Sequence, residues 1–355
     1  VRAIRTVVPG VLLCLAALPI LLTGCASPAY YAQAVSGHLA LMRSREPVAT
    51  YIQDAETDDR TAGRLALAQE LLAFAEDTLD LPADGSYETY APTPGGAVTW
   101  NVVATPPFSL EPKRWCFPVA GCVPYRGYFE REDAERFAER MRARGRDVSV
   151  SRARAYSTLG WFEDPILGTM LDGSEAALAD TLFHELAHQA LYVKGATAFN
   201  ESYATFVARE GVRAWMTRAG NPAGLAAWEA REAAAAAFID LLGDTREQLA
   251  RRYAEGGTEA ELRADKARIL AALRQRYDDL VATAWDGRDR FGGWFDPPPN
   301  NADLALMGSY TGGLCAFETL WVEADGDFRR FHALARAVGE KSREARRAWL
   351  DTPCP

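Results

Sequence analysis

Histidine and cysteine are scarce in this chain. Its 355 residues include four His (His38, His184, His188 and His332) and six Cys (Cys14, Cys25, Cys116, Cys122, Cys315 and Cys354). Any cluster of these residues is therefore informative. A basic excess is also missing: 39 Lys+Arg stand against 48 Asp+Glu, a formal net charge of −9. Without a basic face, general nucleic-acid binding is not expected, and no nucleic-acid partner is assigned. Apolar residues are not lacking. At 48% hydrophobic and 25% charged the composition is that of ordinary globular proteins and excludes wholesale disorder. The length suits one large domain or two modest ones. No internal repeat is visible, and no boundary is clean enough to separate two independent domains.

The first residues read as an export signal. Arg2 and Arg5 precede an apolar run, Val7 to Leu22, which ends at Leu22-Thr23-Gly24-Cys25. That ending resembles a bacterial lipobox, in which the Cys is lipidated and becomes the mature N-terminus. The competing reading is a membrane anchor, but the run is short for a bilayer span, which takes roughly 20 residues. Residues 1–24 are thus assigned as a lipoprotein signal peptide and Cys25 as the lipidation site, with Ala26 pointing to the outer membrane by family rule. Removing 1–24 leaves 37 Lys+Arg against 48 Asp+Glu, or −11. The expected location is the bacterial envelope, lipid-anchored and facing the periplasm. That compartment permits disulfides. Cys116 and Cys122 flank the turn-rich Phe117-Pro118-Val119-Ala120-Gly121 and are expected to pair. Cys315 and Cys354 are then the leftover pair, with free thiols or a metal pair as the alternatives.

The mature chain reads as mainly α with a small β-sheet, an α+β architecture. Tyr30 to Met42 and Ala62 to Leu79 carry apolar residues at three- and four-residue steps. Residues 84–170 form the β-containing part, with strands expected over Val98 to Ala104 and Asp147 to Tyr156 and a helix over Glu132 to Arg144. Residues 174–220 hold the helices discussed next. The stretch 223–284 is a long helical hairpin broken at Gly256-Gly257, where Thr258 and Glu261 match a capping box. After Pro297-Pro298-Pro299, C-terminal helices cover 301–345.

His184-Glu185-Leu186-Ala187-His188 is H-E-x-x-H inside a convincing helix. Ser174 is a plausible N-cap, and Gly195 can end the helix. Four residues apart, the two imidazoles project from one face and can converge on one Zn2+. Glu185 is rotated by about 100° from His184. It stands beside the metal, where it can take a proton from water. The flanking Leu182, Phe183, Leu186 and Ala187 are apolar, so the helix should be buried. Buried polar groups left unpaired cost about 1–3 kcal/mol each. A metal would satisfy them.

A third ligand is required. The metzincin pattern fails, because Leu191 and Lys194 occupy its Gly and His positions. Phe199-Asn200-Glu201-Ser202-Tyr203-Ala204 supplies a glutamate and resembles the N-E-x-x-A segment of gluzincin peptidases. His184 to Gln189 resembles the H-E-L-A-H-Q of the aminopeptidase N family. Glu201 is therefore assigned as third metal ligand. Glu210, at a more usual spacing, is the alternative, and the two cannot share a helix face.

Beyond these motifs the mature chain resembles a group of proteobacterial lipoproteins called putative aminopeptidases, of gluzincin type. The resemblance rests on Tyr30-Tyr31-x-Gln33-x-x-x-Gly37, Trp115-Cys116-Phe117-Pro118, Cys122-Val123-Pro124-Tyr125-Arg126-Gly127-Tyr128-Phe129 and Ala155-Tyr156-Ser157-Thr158-Leu159-Gly160-Trp161-Phe162. It implies that 25–355 is a lipid-anchored zinc peptidase domain with a gluzincin-like catalytic core and a peptide substrate. In gluzincins an edge strand above the metal pairs with substrate. Asp147 to Tyr156 is the candidate here, and an ordinary core strand is the equal alternative. Tyr156, Tyr203, Tyr310 and His332 are candidate transition-state donors, Tyr310 foremost. The expected activity is zinc-dependent aminopeptidase chemistry with Glu185 as general base. No G-x-M-E-N string for binding the substrate amine is found. Glu163 and Asp164 are the nearest acids for that task, against a plain solvated turn. The alternatives are a zinc endopeptidase, a non-catalytic zinc lipoprotein and an envelope interaction protein.

Overall fold

Apolar residues spaced for helices dominate the chain, and helices dominate the structure. The computed structural model describes residues 28–82, 85–93, 96–117, 121–153, 164–306 and 313–354. The leader, Cys25, Tyr156, Glu163 and Tyr310 lie outside them.

The first third supplies α1 (Pro28–Arg43), β1 (Glu46–Pro47), α2 (Val48–Gln53) and α3 (Asp59–Asp77). Asp58 caps α3 by accepting from the Thr61 N–H. The β-containing part follows: β2 (Thr89–Ala91), β3 (Thr99–Thr105), β4 (Trp115–Phe117), β5 (Gly121–Val123), β6 (Arg126–Tyr128), α4 (Arg131–Arg142), β7 (Asp147–Ala153) and β8 (Ile166–Leu167). One sheet has the order β6-β3-β7, antiparallel throughout, and a second has the order β1-β2-β8. β4 and β5 form a hairpin in which Cys116 stands directly opposite Cys122, and the two are joined as a disulfide. Cys315 and Cys354 are joined as well. The expected strand ending at Tyr156 is described to Ala153, and it lies at the edge of its sheet. Asn300 and Lys266 engage the opening residues of that edge, at the Val148 carbonyl and the Asp147 carboxylate.

The helical part comprises α5 (Glu175–Ala190), α6 (Thr197–Arg218), α7 (Pro222–Glu255), α8 (Glu259–Thr283), α9 (Asn301–Leu304), α10 (Leu314–Glu323), α11 (Phe328–Gly339) and α12 (Arg343–Leu350). Ser174 caps α5 as expected, accepting from the Ala177 N–H at 3.2 Å. The helix stops earlier than the sequence suggested. It ends at Ala190, Leu191 is extended, and Gly195 with φ +76° turns the chain into α6 instead of closing α5. α6 returns alongside α5, and the pair packs on α3 and α11 through Leu178, Leu182, Phe183, Leu186, Tyr203 and Phe331. Gly211 makes the close approach possible. A Cβ there would meet Leu79 and Phe183 side-chain carbons at 2.8 Å. The expected hairpin is α7 with α8, and its Thr258–Glu261 capping box is formed. It has its own apolar core, including Phe238, Leu242, Leu249, Leu273 and Tyr277. No helix among the described residues is long and apolar enough to cross a membrane.

Candidate metal centre

Helical spacing on α5 and the return of α6 bring three donors together. His184 Nε2 and His188 Nε2 lie 3.2 Å apart. Glu201, in the first turns of α6, places Oε2 3.5 Å from His184 Nε2 and Oε1 3.7 Å from His188 Nε2. The ligating atoms of all three residues fall within 4.8 Å of one another. Donors about 2.0–2.1 Å from a tetrahedral ion sit about 3.3 Å from each other, so these separations fit a zinc-sized site. Two imidazoles and a carboxylate are also a donor set that zinc accepts. His188 Nδ1 is buried and has no hydrogen-bond partner among the described residues.

The three side chains also set one another's protonation. Burial and the neighbouring His184 push His188 down to about 4. Burial also opposes charge on His184, but the hydrogen bond to Glu201 and the charges of Glu185, Glu201 and Asp180 outweigh it and raise its pKa. The same His184 contact, with His188, holds Glu201 below the ordinary carboxylate range despite burial. Two imidazoles this close are not both readily protonated, so His188 stays neutral beside His184. Glu185 lies outside the three-residue cluster. Its pKa is raised by burial, with His184 opposing and Glu201 and Asp164 adding.

The tight connection between the helices is held by a residue whose role the sequence did not reveal. Asn200, fully buried, accepts from the Val193 N–H and donates to the Val193 carbonyl, both at 2.9 Å. This two-point clamp fixes residues 193–200 and therefore the position of Glu201. Arg336 reaches the Ala190 carbonyl at the α5 C-terminus, and Gln189 donates to Ser86 Oγ. Beside Ser86, Tyr87 is buried with φ +66°, a costly conformation for a bulky residue. It lies within the electrostatic reach of Glu185 and Asp164. Nothing in the local sequence marks it.

The remaining candidates separate clearly. Glu210 is ion-paired with Arg213 and takes no part in the cluster. Tyr203 and His332 are not exposed donors. Tyr203 Oη lies 2.8 Å from His332 Nδ1, and His332 Nε2 lies 2.8 Å from the Leu79 carbonyl, all within the core. Asp164 is buried, not on a solvated turn, and its carbonyl accepts from the Tyr87 N–H. Tyr156, Glu163 and Tyr310 fall outside the described residues. Cys315, Cys354 and Glu318 also lie close together, but the disulfide leaves no thiolate there to bind a metal.

The fold and the site together define a mainly helical α+β protein with an H-E-x-x-H helix and a glutamate facing it. A family model, described as putative aminopeptidase, matches residues 29–350, and the chain belongs to that family. No curated protein and no solved structure matches it. Membership supports a peptidase-like function.

Proposed function

We propose that this protein is a zinc-dependent peptidase, acting as an aminopeptidase, with a gluzincin-like centre. The observation that carries the reading is the convergence of His184, His188 and Glu201 within 4.8 Å, with Glu185 beside them. These three would hold zinc, which when bound supplies Lewis acidity to a peptide carbonyl and acidifies water. Glu185 accepts the proton of the attacking water and passes it to the leaving nitrogen. Its raised pKa suits both halves of that transfer.

The same reading includes an envelope location. Cys25 carries lipid and anchors the catalytic part at the membrane, where it meets peptide substrates. Cys25→Ser should stay unprocessed; a normally matured, water-soluble Cys25→Ser product would remove the anchor from the proposal.

The central test is a peptide-library digest followed by mass spectrometry, with metal analysis of the same purified protein. Stoichiometric zinc, chelator-sensitive cleavage and stepwise loss of N-terminal residues are expected. Absence of zinc would overturn the reading. Equal cleavage of acetylated peptides at internal bonds would keep the zinc chemistry and make the enzyme an endopeptidase.

A further inference from the structure

The face of α5 that carries His184 and His188 continues toward the helix N-terminus through Thr181, Asp180 and Ala177, because residues three and four apart share a face. There it borders a cavity of about 620 Å³, within the usual range for small-ligand sites. Trp228, Arg231 and Glu232 of α7 line it from across the cavity, together with Arg290. Asp180 stands one helical turn, about 5.4 Å along the axis, before His184.

Charges in this cavity are incompletely matched. Glu232 is engaged by Arg209 at 3.3 Å. Asp180 has no hydrogen bond or ion pair among the described residues, and burial, reinforced by Glu232, raises its pKa to about 6 against the opposing His184 and Arg209. Across the cavity Arg290 keeps a buried Nε without a hydrogen-bond partner among the described residues. Asp180 is only partly exposed, at the cavity wall, and a cationic ligand group would give its carboxylate the partner that the described residues do not supply. Of the carboxylates that line it, Glu175 accepts from Trp215 Nε1 and Glu232 is held by Arg209, which leaves Asp180 alone, too little to hold a bare metal ion that takes several ligands. The guanidinium groups of Arg231 and Arg290 would also repel one. A molecule with charges of both signs, as a peptide has, suits such a cavity.

We propose that this cavity is a substrate subsite in which Asp180 pairs with a cationic group of the bound peptide. The inference rests on the peptidase reading above and deepens it by naming what the site recognises. Two sources of that cation are open to test: the peptide's α-ammonium and a basic side chain. Either would lie one turn from the metal ligands, close enough to orient the neighbouring peptide bond.

The experiment is calorimetric binding to the full-length protein in chelator, so that no hydrolysis intervenes. Trialanine amide is compared with its N-acetyl form, and acetyl-Ala-Lys-Ala amide with acetyl-Ala-norleucine-Ala amide. At least tenfold tighter binding of the cationic member is expected in one pair, and the pair that responds identifies the source. Asp180→Asn should erase the difference, and Asp180→Glu, which keeps the charge, should retain a preference for the cation. Absence of discrimination by the wild-type protein in both pairs overturns the proposal, whatever the variants do. So does discrimination that survives in Asp180→Asn. Loss of zinc in Asp180→Asn with unchanged peptide preference would make Asp180 a support for His184 instead. Failure of the zinc-loaded protein to cut any peptide would refute the peptidase reading while leaving the binding result to stand or fall alone.

Discussion

Two antiparallel helix pairs of this protein use their charged residues in opposite ways. In the hairpin of α7 and α8, charges pair along one helix: Arg251 with Glu247, Arg263 with Glu259 and Arg274 with Asp278. These groups face water and are satisfied by neighbours or solvent. In α5 and α6 the polar groups His184, His188 and Glu201 are partly withdrawn from water and crowd one another, and Asp180 stands one turn away. The first pattern needs nothing further. In the second, His188 Nδ1 and the Asp180 carboxylate find no hydrogen-bond partner among the described residues, and partly buried polar groups left unpaired are costly. Helical content is thus silent about function, and the satisfaction of polar groups is what distinguishes a scaffold from a site.

The most drastic way to break the contrast is to remove the ligands. His188→Ala should lose most bound zinc and all peptidase activity, measured by metal analysis and peptide hydrolysis. Glu185→Gln should keep stoichiometric zinc and lose about 10²–10⁴-fold in kcat, the usual contribution of a positioned proton-transfer group. Near-normal turnover in Glu185→Gln would remove Glu185 from the chemistry. Glu201→Gln should weaken zinc binding while Glu210→Gln, already paired with Arg213, should not; the reverse result would reassign the third ligand.

A smaller effect is expected one step back from the ligands. Asn200→Ala removes both hydrogen bonds of the Val193 clamp and leaves that backbone unsatisfied. Each unsatisfied buried group costs about 1–3 kcal/mol, so a lower melting temperature and weaker zinc binding should appear together. A variant that melts early but binds zinc normally would show that the clamp stabilises the fold without positioning Glu201.

These residues also show how much the sequence disclosed. His184 and His188 were readable as a pair because helical periodicity fixes which side chains share a face, and Asn200-Glu201 because the segment resembles a known motif. The helical hairpin, its capping box and the Cys116–Cys122 pairing were readable because each is local: a glycine break, a Thr-to-Glu spacing and a turn-rich segment between the two cysteines. The end of α5 was not: Gly195 looked like a helix stop, yet the Asn200 clamp, a contact made across the turn, sets the geometry. Tyr87 and Asp180 were invisible as well. Their environment comes from segments about a hundred residues apart for Tyr87 and Glu185, and about fifty apart for Asp180 and Glu232. Tyr203 and His332 were plausible donors by residue type alone, and only their burial against each other assigns them to the core.

That pair gives a pH test of the same contrast, since it is a buried polar pair that is fully satisfied. His332 is neutral, donating from Nε2 to the Leu79 carbonyl and accepting at Nδ1 from Tyr203. Burial depresses its pKa, and Arg336 contributes, while the Leu79 hydrogen bond, Asp80 and Asp327 oppose. The unfolded chain, with an ordinary value near 6.5, therefore takes up a proton before the folded protein does. Stability from this residue is full above about 6.5 and is lost as pH falls from there through the depressed folded value. The melting temperature of the wild type relative to His332→Gln should accordingly fall between pH 7 and pH 5. A pH-independent difference would mean that His332 titrates alike in both states.

The smallest effect belongs to the hairpin. Arg251 and Glu247 are 66% and 71% exposed, so their attraction is screened by water and salt. Arg251→Ala should leave the melting temperature, zinc content and peptidase activity within error of the wild type. The result matters as a control on the contrast itself. If truncating an exposed hairpin charge altered zinc affinity or turnover, α7 would be transmitting strain to the Glu232 and Asp180 side of the cavity. The two helix pairs would then be one coupled unit, not a scaffold beside a site. Combining Arg251→Ala with Asp180→Asn decides between these cases, because independent sites give additive changes and coupled ones do not.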